Sequence, residues 1–488
     1  MNNLVHIEDK YRLIRSGRNN KFNPKLGFIE AAITTATGIF KRRIEDGVLT
    51  DEGVKKLLDE YLPGYIYSTG LYMTTNRKNT EKQKEGILNG KAKEYFMRDI
   101  LAIKDSKFLD KQPLLLDSAG HQVIMGYLPL DNALIWTENY FKFVHETDEI
   151  DFAFSLDIHA DIPTPGFTHP QILWDVNCKS CDNMFSTLDD ESLKKIIWVL
   201  QFKGKLLNLW DALHNKYDIF KKINKFAIGG VAQGNNTQTV SYPLYMIPAA
   251  LIIHGIKNNL WADYYLLHIL GVMAPTDFLQ FAVIQQCAER FHGINLQVSN
   301  DGSSILRGQS ASASFRFFLG KTSHKISFKS GDLNKRIESI PSLTNEQLIK
   351  KIVKLLSDQY GFKDITDEPI YIDDKLNQKY WSFIILASYI YYSNLQNFAV
   401  KTADELLTAY QKGDRILFDQ ILQNYLITLN SGRVTRNLHN KMKNYWDAIE
   451  MLEELNIKTI LETNTRVFPN LRIFDHGDLN IPEEYMSI

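Results

Sequence analysis

The chain has 488 residues, with 56 Lys+Arg against 57 Asp+Glu and a formal net charge of -1. Hydrophobic residues make up 44% and charged residues 23%, which excludes a mainly disordered chain and provides for more than one core. The charge balance excludes a uniformly basic nucleic-acid binder, and Cys178, Cys181 and Cys287 are too few for a disulfide framework.

In chain order, residues 1–60 read as an N-terminal extension, polar and basic at first, with two helices, the second around Asp51 to Tyr61. The opening MNNLVHIEDKYRL carries charges where a signal peptide needs an apolar stretch. The apolar runs Pro243 to Ile253 and Trp381 to Tyr392 are too short to span a bilayer, so a cytoplasmic protein without membrane contact is expected. Thr75 to Lys93 is lysine-rich and weakly patterned, and reads as a solvated loop followed by a helix.

From about residue 110, short apolar runs ending in polar residues alternate with helix-length segments. The runs are PLLLD (113–117), DFAFSLD (151–157), IIWVLQF (196–202), KFAIGG (225–230), LLHILG (266–271) and INLQVSND (294–301). Thr276 to Phe291, with Asp277 near its start, has the stripe of a helix. This grammar of buried strands and helices predicts an α/β fold, either a closed (β/α)8 TIM-like barrel or a doubly wound sheet. No Gly-x-Gly-x-x-Gly opens a first βα unit, which disfavours the dinucleotide-binding version and leaves the barrel, assigned to residues 61–320.

Beyond residue 320, Lys321, Lys325, Lys329, Lys335 and Arg336 form a basic run, either a solvated face or a holder of phosphates. Thr344 and Gln347 have capping-box spacing at the start of a long helix. Helices over 381–395, 402–411, 415–428 and 433–456 complete a mostly helical C-terminal lobe, 321–488.

In a barrel, residues at the C-terminal ends of strands face the active site. Asp117, Asp157, Gln201, Gly229, Gly230 and Asp301 hold such positions. Four of them have a plainer alternative: Asp117 as a helix cap, Gly229-Gly230 as a tight turn, Asp301 with Gly302 as a turn. Gln122, on the loop after Asp117, has the donor and acceptor that reading a heterocycle edge requires. Cys178-Lys179-Ser180-Cys181 has half of a zinc-site spacing and no second half, and His159 has no partner at ligand spacing, so no metal is expected.

Taken together, these segments resemble the tRNA-guanine transglycosylase superfamily, barrel enzymes that exchange guanine for a 7-deazaguanine. LLLDSAGHQ is similar to the family's Asp-Ser-Gly-Gly-Phe-Gln through Asp117, Ser118, Gly120 and Gln122. FSLD before Pro163 and Pro165 resembles its base-recognition strand, and Gln201 in WVLQFKG stands for its recognition glutamine. FAIGGVAQG, containing Gly229, Gly230 and Val231, and LHILGVMAPTDFLQFA resemble two further segments, and all five keep the family order. The chain departs from the family at Val298, which stands where the nucleophilic aspartate is expected; Asp301, three residues on, is taken as the nucleophile. His121 replaces an aromatic that stacks on the base, and His159 a cysteine.

No cysteine follows Cys287, so the zinc ligands of the tRNA enzymes are missing, a pattern more like the divergent members that modify DNA. The resemblance implies a DNA-guanine transglycosylase working by double displacement. Asp301 would attack C1′ and Asp117 transfer protons, while His121, Gln122, Asp157, Gln201, Gly229, Gly230 and Val231 would bind a 7-deazaguanine such as 7-cyano-7-deazaguanine. It implies no cofactor, DNA as partner, and partner proteins of a DNA-modification system. The alternatives are exchange on tRNA, hydrolysis by the Asp117–Asp301 pair, and a non-catalytic nucleic-acid-binding subunit.

Overall fold

The computed structural model describes residues 27–30, 33–104, 109, 112–124, 126–156, 170–201, 206–229, 242–272, 274–302, 314–319, 322–429, 443–467 and 485. It is a mixed α/β molecule built on a curled, all-parallel sheet. The strands are β1 (Gly27–Glu30), β2 (Tyr65–Ser68), β3 (Leu114–Asp117), β4 (Phe152–Phe154), β5 (Ile196–Gln201), β6 (Lys225–Gly229), β7 (Tyr265–Ile269) and β8 (Leu296–Gly302). Strands β2 to β8 pair in sequential order, and β1 touches both edges, pairing with β8 over four positions and with β2 over one.

The six apolar runs read from the sequence coincide with β3 to β8. The N-terminal boundary is corrected: the segment assigned to an extension supplies β1, so the sheet begins at Gly27. GFIE and the YIYS of β2 are too short for a period of two to be visible.

The period-two alternation of strand side chains divides the sheet into two faces. Ile66, Leu115, Phe152, Ile197, Ala227 and Leu266 belong to a small inner cluster on the concave face. Their neighbours Tyr67, Leu116, Ala153, Trp198, Phe226 and Leu267 pack outward against the helices in the main core. Strand β8 breaks the apolar rule on one face only. Leu296 and Val298 join the outer core, whereas Gln297, Ser299 and Asp301 are buried and polar.

After β8 the structure describes an antiparallel pair, β9 (Ser314–Leu319) and β10 (Thr322–Ser327), where only a basic run before a helix was expected. Lys325 and Lys329 are exposed, and Lys335 pairs with Asp332 at 2.6 Å. The helix Asn345–Tyr360 carries the expected capping box between Thr344 and Gln347. Two expected helices are one, Gln378–Gln411, because nothing between residues 396 and 401 breaks a helix. It packs on Asp277–His292, with Phe278 stacked on Tyr392 at 5.8 Å and Gln286 Nε2 donating to the Val400 carbonyl at 2.8 Å. Helices Arg415–Leu429, Tyr445–Glu454 and Ile457–Val467 complete the described part of the lobe. Among the described residues, no helix is long and apolar enough to cross a membrane.

Candidate functional site

All strands of a parallel sheet present their C-terminal ends on one rim. On this rim Asp117, the last residue of β3, lies in register with Ser68, the last of β2. Both share the inward parity of Ile66 and Leu115. The Ser68 hydroxyl donates to Asp117 Oδ2 at 2.6 Å, and Thr69 Oγ1 donates to the Asp117 carbonyl at 2.7 Å. The chain then turns sharply: Ala119 takes a φ of 68°, and Trp136 Nε1 holds the preceding Ser118 carbonyl at 3.1 Å. That turn starts the helix Gly120–Ile124, which carries His121 and Gln122.

Gln122 lies flat over Gly70. A Cβ on Gly70 would stand 2.1 Å from Gln122 Cδ, so the absence of a side chain there makes room for the amide. Gln122 Oε1 is buried and has no hydrogen-bond partner among the described residues. An unpaired buried acceptor costs about 1–3 kcal/mol, a cost that a ligand donor would remove.

Tyr140 joins the two strands beside Asp117. Its hydroxyl donates to the Phe154 carbonyl at 2.8 Å and lies 3.2 Å from that of Leu116. Burial above all pushes its pKa well above the usual tyrosine range, so it stays a neutral donor.

At the other side of the rim, Asp301 is 8% exposed and sits on the inner face of β8. Its Oδ1 accepts two hydrogen bonds, from the backbone N–H of Gly271 at 2.6 Å and from His268 Nε2 at 3.1 Å. Neither bond uses Oδ2. Gly271 has a φ of 73°, a left-handed conformation in which glycine alone is unstrained, and this aims its N–H at the carboxylate. Asn300 Nδ2 pins the next carbonyl, Val272, at 2.8 Å.

His268 is fully buried in β7, with Nδ1 2.9 Å from Ser299 Oγ. An ionised carboxylate only accepts, so Nε2 carries the proton toward Asp301; in the neutral ring, Nδ1 then accepts from the Ser299 hydroxyl. The imidazole also packs on Phe154, with centroids 5.1 Å apart. Phe154 therefore contacts His268 through its ring and Tyr140 through its carbonyl.

The remaining expected residues divide into two groups. Gln201 ends β5 in register with Gly229, the buried end of β6. Asp157, His159, Gly230 and Val231 lie outside the described residues, as does Lys321. The cysteines are structural in place: Cys178 and Cys181 are buried one turn apart on Pro170–Thr187, and Cys287 is buried on Asp277–His292. Burial pushes all three thiols up. Among the described residues, no three metal-ligating side chains converge.

Sequence reasoning missed Ser68, Gly271, His268 and Ser299. His268 did leave a signal, as the one ionisable residue within the apolar run LLHILG. No family model matches the chain, and no curated protein matches it.

Proposed function

We propose that the chain is a (β/α)8-barrel base-exchange enzyme that replaces guanine in DNA with a 7-deazaguanine, by double displacement through Asp301. The observation that carries this reading is the Asp301 carboxylate: buried on the inner rim, fixed through Oδ1 by Gly271 and His268, and leaving Oδ2 for attack. A carboxylate nucleophile needs such a rigid mount.

In the first displacement, Asp301 Oδ2 bonds to C1′ while the C1′–N9 bond breaks. Guanine leaves with the electron pair and takes a proton from Asp117. In the second, the incoming base gives its N9 proton to Asp117 and forms the new C1′–N9 bond as the ester C1′–O bond breaks. The carboxylate is regenerated, and no electrons are exchanged with any other group. Ser68 holds Asp117 Oδ2 in place for this traffic. Gln122, with its unpaired acceptor, reads the base edge together with Asp157, Gln201 and the Gly230 backbone. The target nucleotide is flipped out of the helix to reach the rim, a step that costs a few kcal/mol. The lack of any cysteine after Cys287 supports DNA over tRNA.

The test offers purified full-length protein labelled guanine or labelled 7-cyano-7-deazaguanine with duplex DNA or tRNA. Label enters DNA, and Asp301→Asn lowers the rate by about 10³-fold or more without unfolding the protein. Label in tRNA alone overturns the choice of DNA. Guanine release without an incoming base points to hydrolysis, and unchanged exchange by Asp301→Asn removes the mechanism.

A further inference from the structure

We infer that His268 is a positioning residue for the second displacement, holding Asp301 as a competent leaving group. The inference rests on the base-exchange reading above and adds a residue that the strand-end pattern did not supply.

Two donors converge on one oxygen of Asp301, and they have separate origins. Gly271 contributes a backbone N–H that no side-chain substitution removes, whereas His268 contributes Nε2–H from the middle of β7. Together they fix rotation about the Cβ–Cγ bond and hold Oδ2 apart from Oδ1. Attack by Oδ2 makes an ester whose carbonyl oxygen is Oδ1. When the incoming base displaces that ester, negative charge returns to the carboxylate, and the same two donors receive it. They are in place before the charge develops, as electrostatic stabilisation requires. The first displacement gains less, because donors that stabilise the free carboxylate also lower its nucleophilicity.

The environment argues that the imidazole is there for this purpose. His268 is fully buried, and Phe154 of the apolar inner cluster lies against its ring. An apolar side chain would fill that space without the cost of burying two ring nitrogens. Ser299, two residues before Asp301 on the same face, donates its hydroxyl to the far nitrogen once the carboxylate has drawn the ring N–H to Nε2. Hydrogen bonds are stronger in such a dry setting than at the surface.

The experiment separates the two displacements. Full-length protein is mixed with a guanine-containing duplex, and the covalent protein–DNA adduct is quantified after denaturant quench. The preformed adduct is then chased with 7-cyano-7-deazaguanine. His268→Ala slows adduct decay by roughly 10²-fold while forming the adduct at near the normal rate, so the adduct accumulates at steady state. His268→Gln, whose amide N–H reaches the place of Nε2, restores much of the decay rate; His268→Asn, whose amide is one carbon shorter, does not. Circular dichroism melts of each variant identify loss of fold, and the Gln–Asn pair keeps the test usable if Ala unfolds. Equal decay rates for wild type, Gln and Asn overturn the role of His268. Absence of any adduct with the wild-type protein overturns the base-exchange reading itself.

Discussion

Leu266, His268 and Leu270 occupy successive inward positions after the start of β7, and the middle one alone is polar. Such a residue is invisible to a search of strand ends, which is how Asp117 and Asp301 were found. Those two were legible because each stops an apolar run with a charge. The face each residue occupies was not legible until the strand parity was known. Val298, at the expected nucleophile position, faces outward and is fully buried among the helices. A shift of three residues changes faces, so Asp301 stands on the inner side where Val298 cannot. Gly70 gives a prediction of the same scale. Gly70→Ala forces the Gln122 amide aside, and a flexible side chain moves at little cost. The melting temperature is expected to change by a few degrees at most, while KM for the incoming base rises about tenfold. An unchanged KM would separate Gln122 from base recognition.

Strands buried on both faces announce themselves as apolar runs, and β3 to β8 were legible for that reason. Strands β1 and β2 were not, one carrying a glycine and a glutamate and the other rich in tyrosine. The pair β9 and β10 was hidden by its polar composition: Lys325 is exposed while Ser323, His324 and Ile326 are buried, so only the lysines stood out. Helix ends with side-chain caps were the most legible, as at Asp51–Tyr61, where Thr50 Oγ1 accepts from Gly53 N–H at 3.2 Å. Thr344 caps Asn345–Tyr360 in the same way, and Thr344→Ala is expected to cost about 1 kcal/mol in chemical denaturation. Base exchange should be unaffected, since no residue placed on the rim lies on this helix, which packs on the helices Asp51–Tyr61 and Gln378–Gln411. A loss of exchange at unchanged stability would tie that helix to the site.

The lobe after the sheet does more than cover helices. Tyr425 donates to the Pro275 carbonyl at 2.9 Å, bracing the segment that runs from Gly271 to the helix Asp277–His292. The donor to Asp301 is therefore anchored from both sides, by Asn300 and by the C-terminal lobe. That long-range support left no trace in the sequence, because it joins residues 150 positions apart. At the other end of the sheet, Lys225 opens β6 and is 2% exposed. Burial lowers its pKa to about 8, with Lys194 adding to the shift. Between pH 8 and the unfolded value near 10.5, the unfolded chain holds a proton that the folded one lacks, so stability rises with pH. Below pH 8 the penalty is fully present. From pH 8 to 10 the wild type should gain on the order of 2 kcal/mol relative to Lys225→Met, measured by urea denaturation. A constant difference between the two proteins would show that the lysine titrates normally.

Double displacement requires that Asp301 become covalently attached to the nucleotide. Adduct formed with a guanine-containing duplex is digested with protease and nuclease, and the attachment site is mapped by tandem mass spectrometry. Attack by Asp301 leaves an abasic deoxyribose ester on Asp301, lost on treatment with the incoming base. An ester on Asp117 or Asp157, or base exchange proceeding with no adduct, would contradict it.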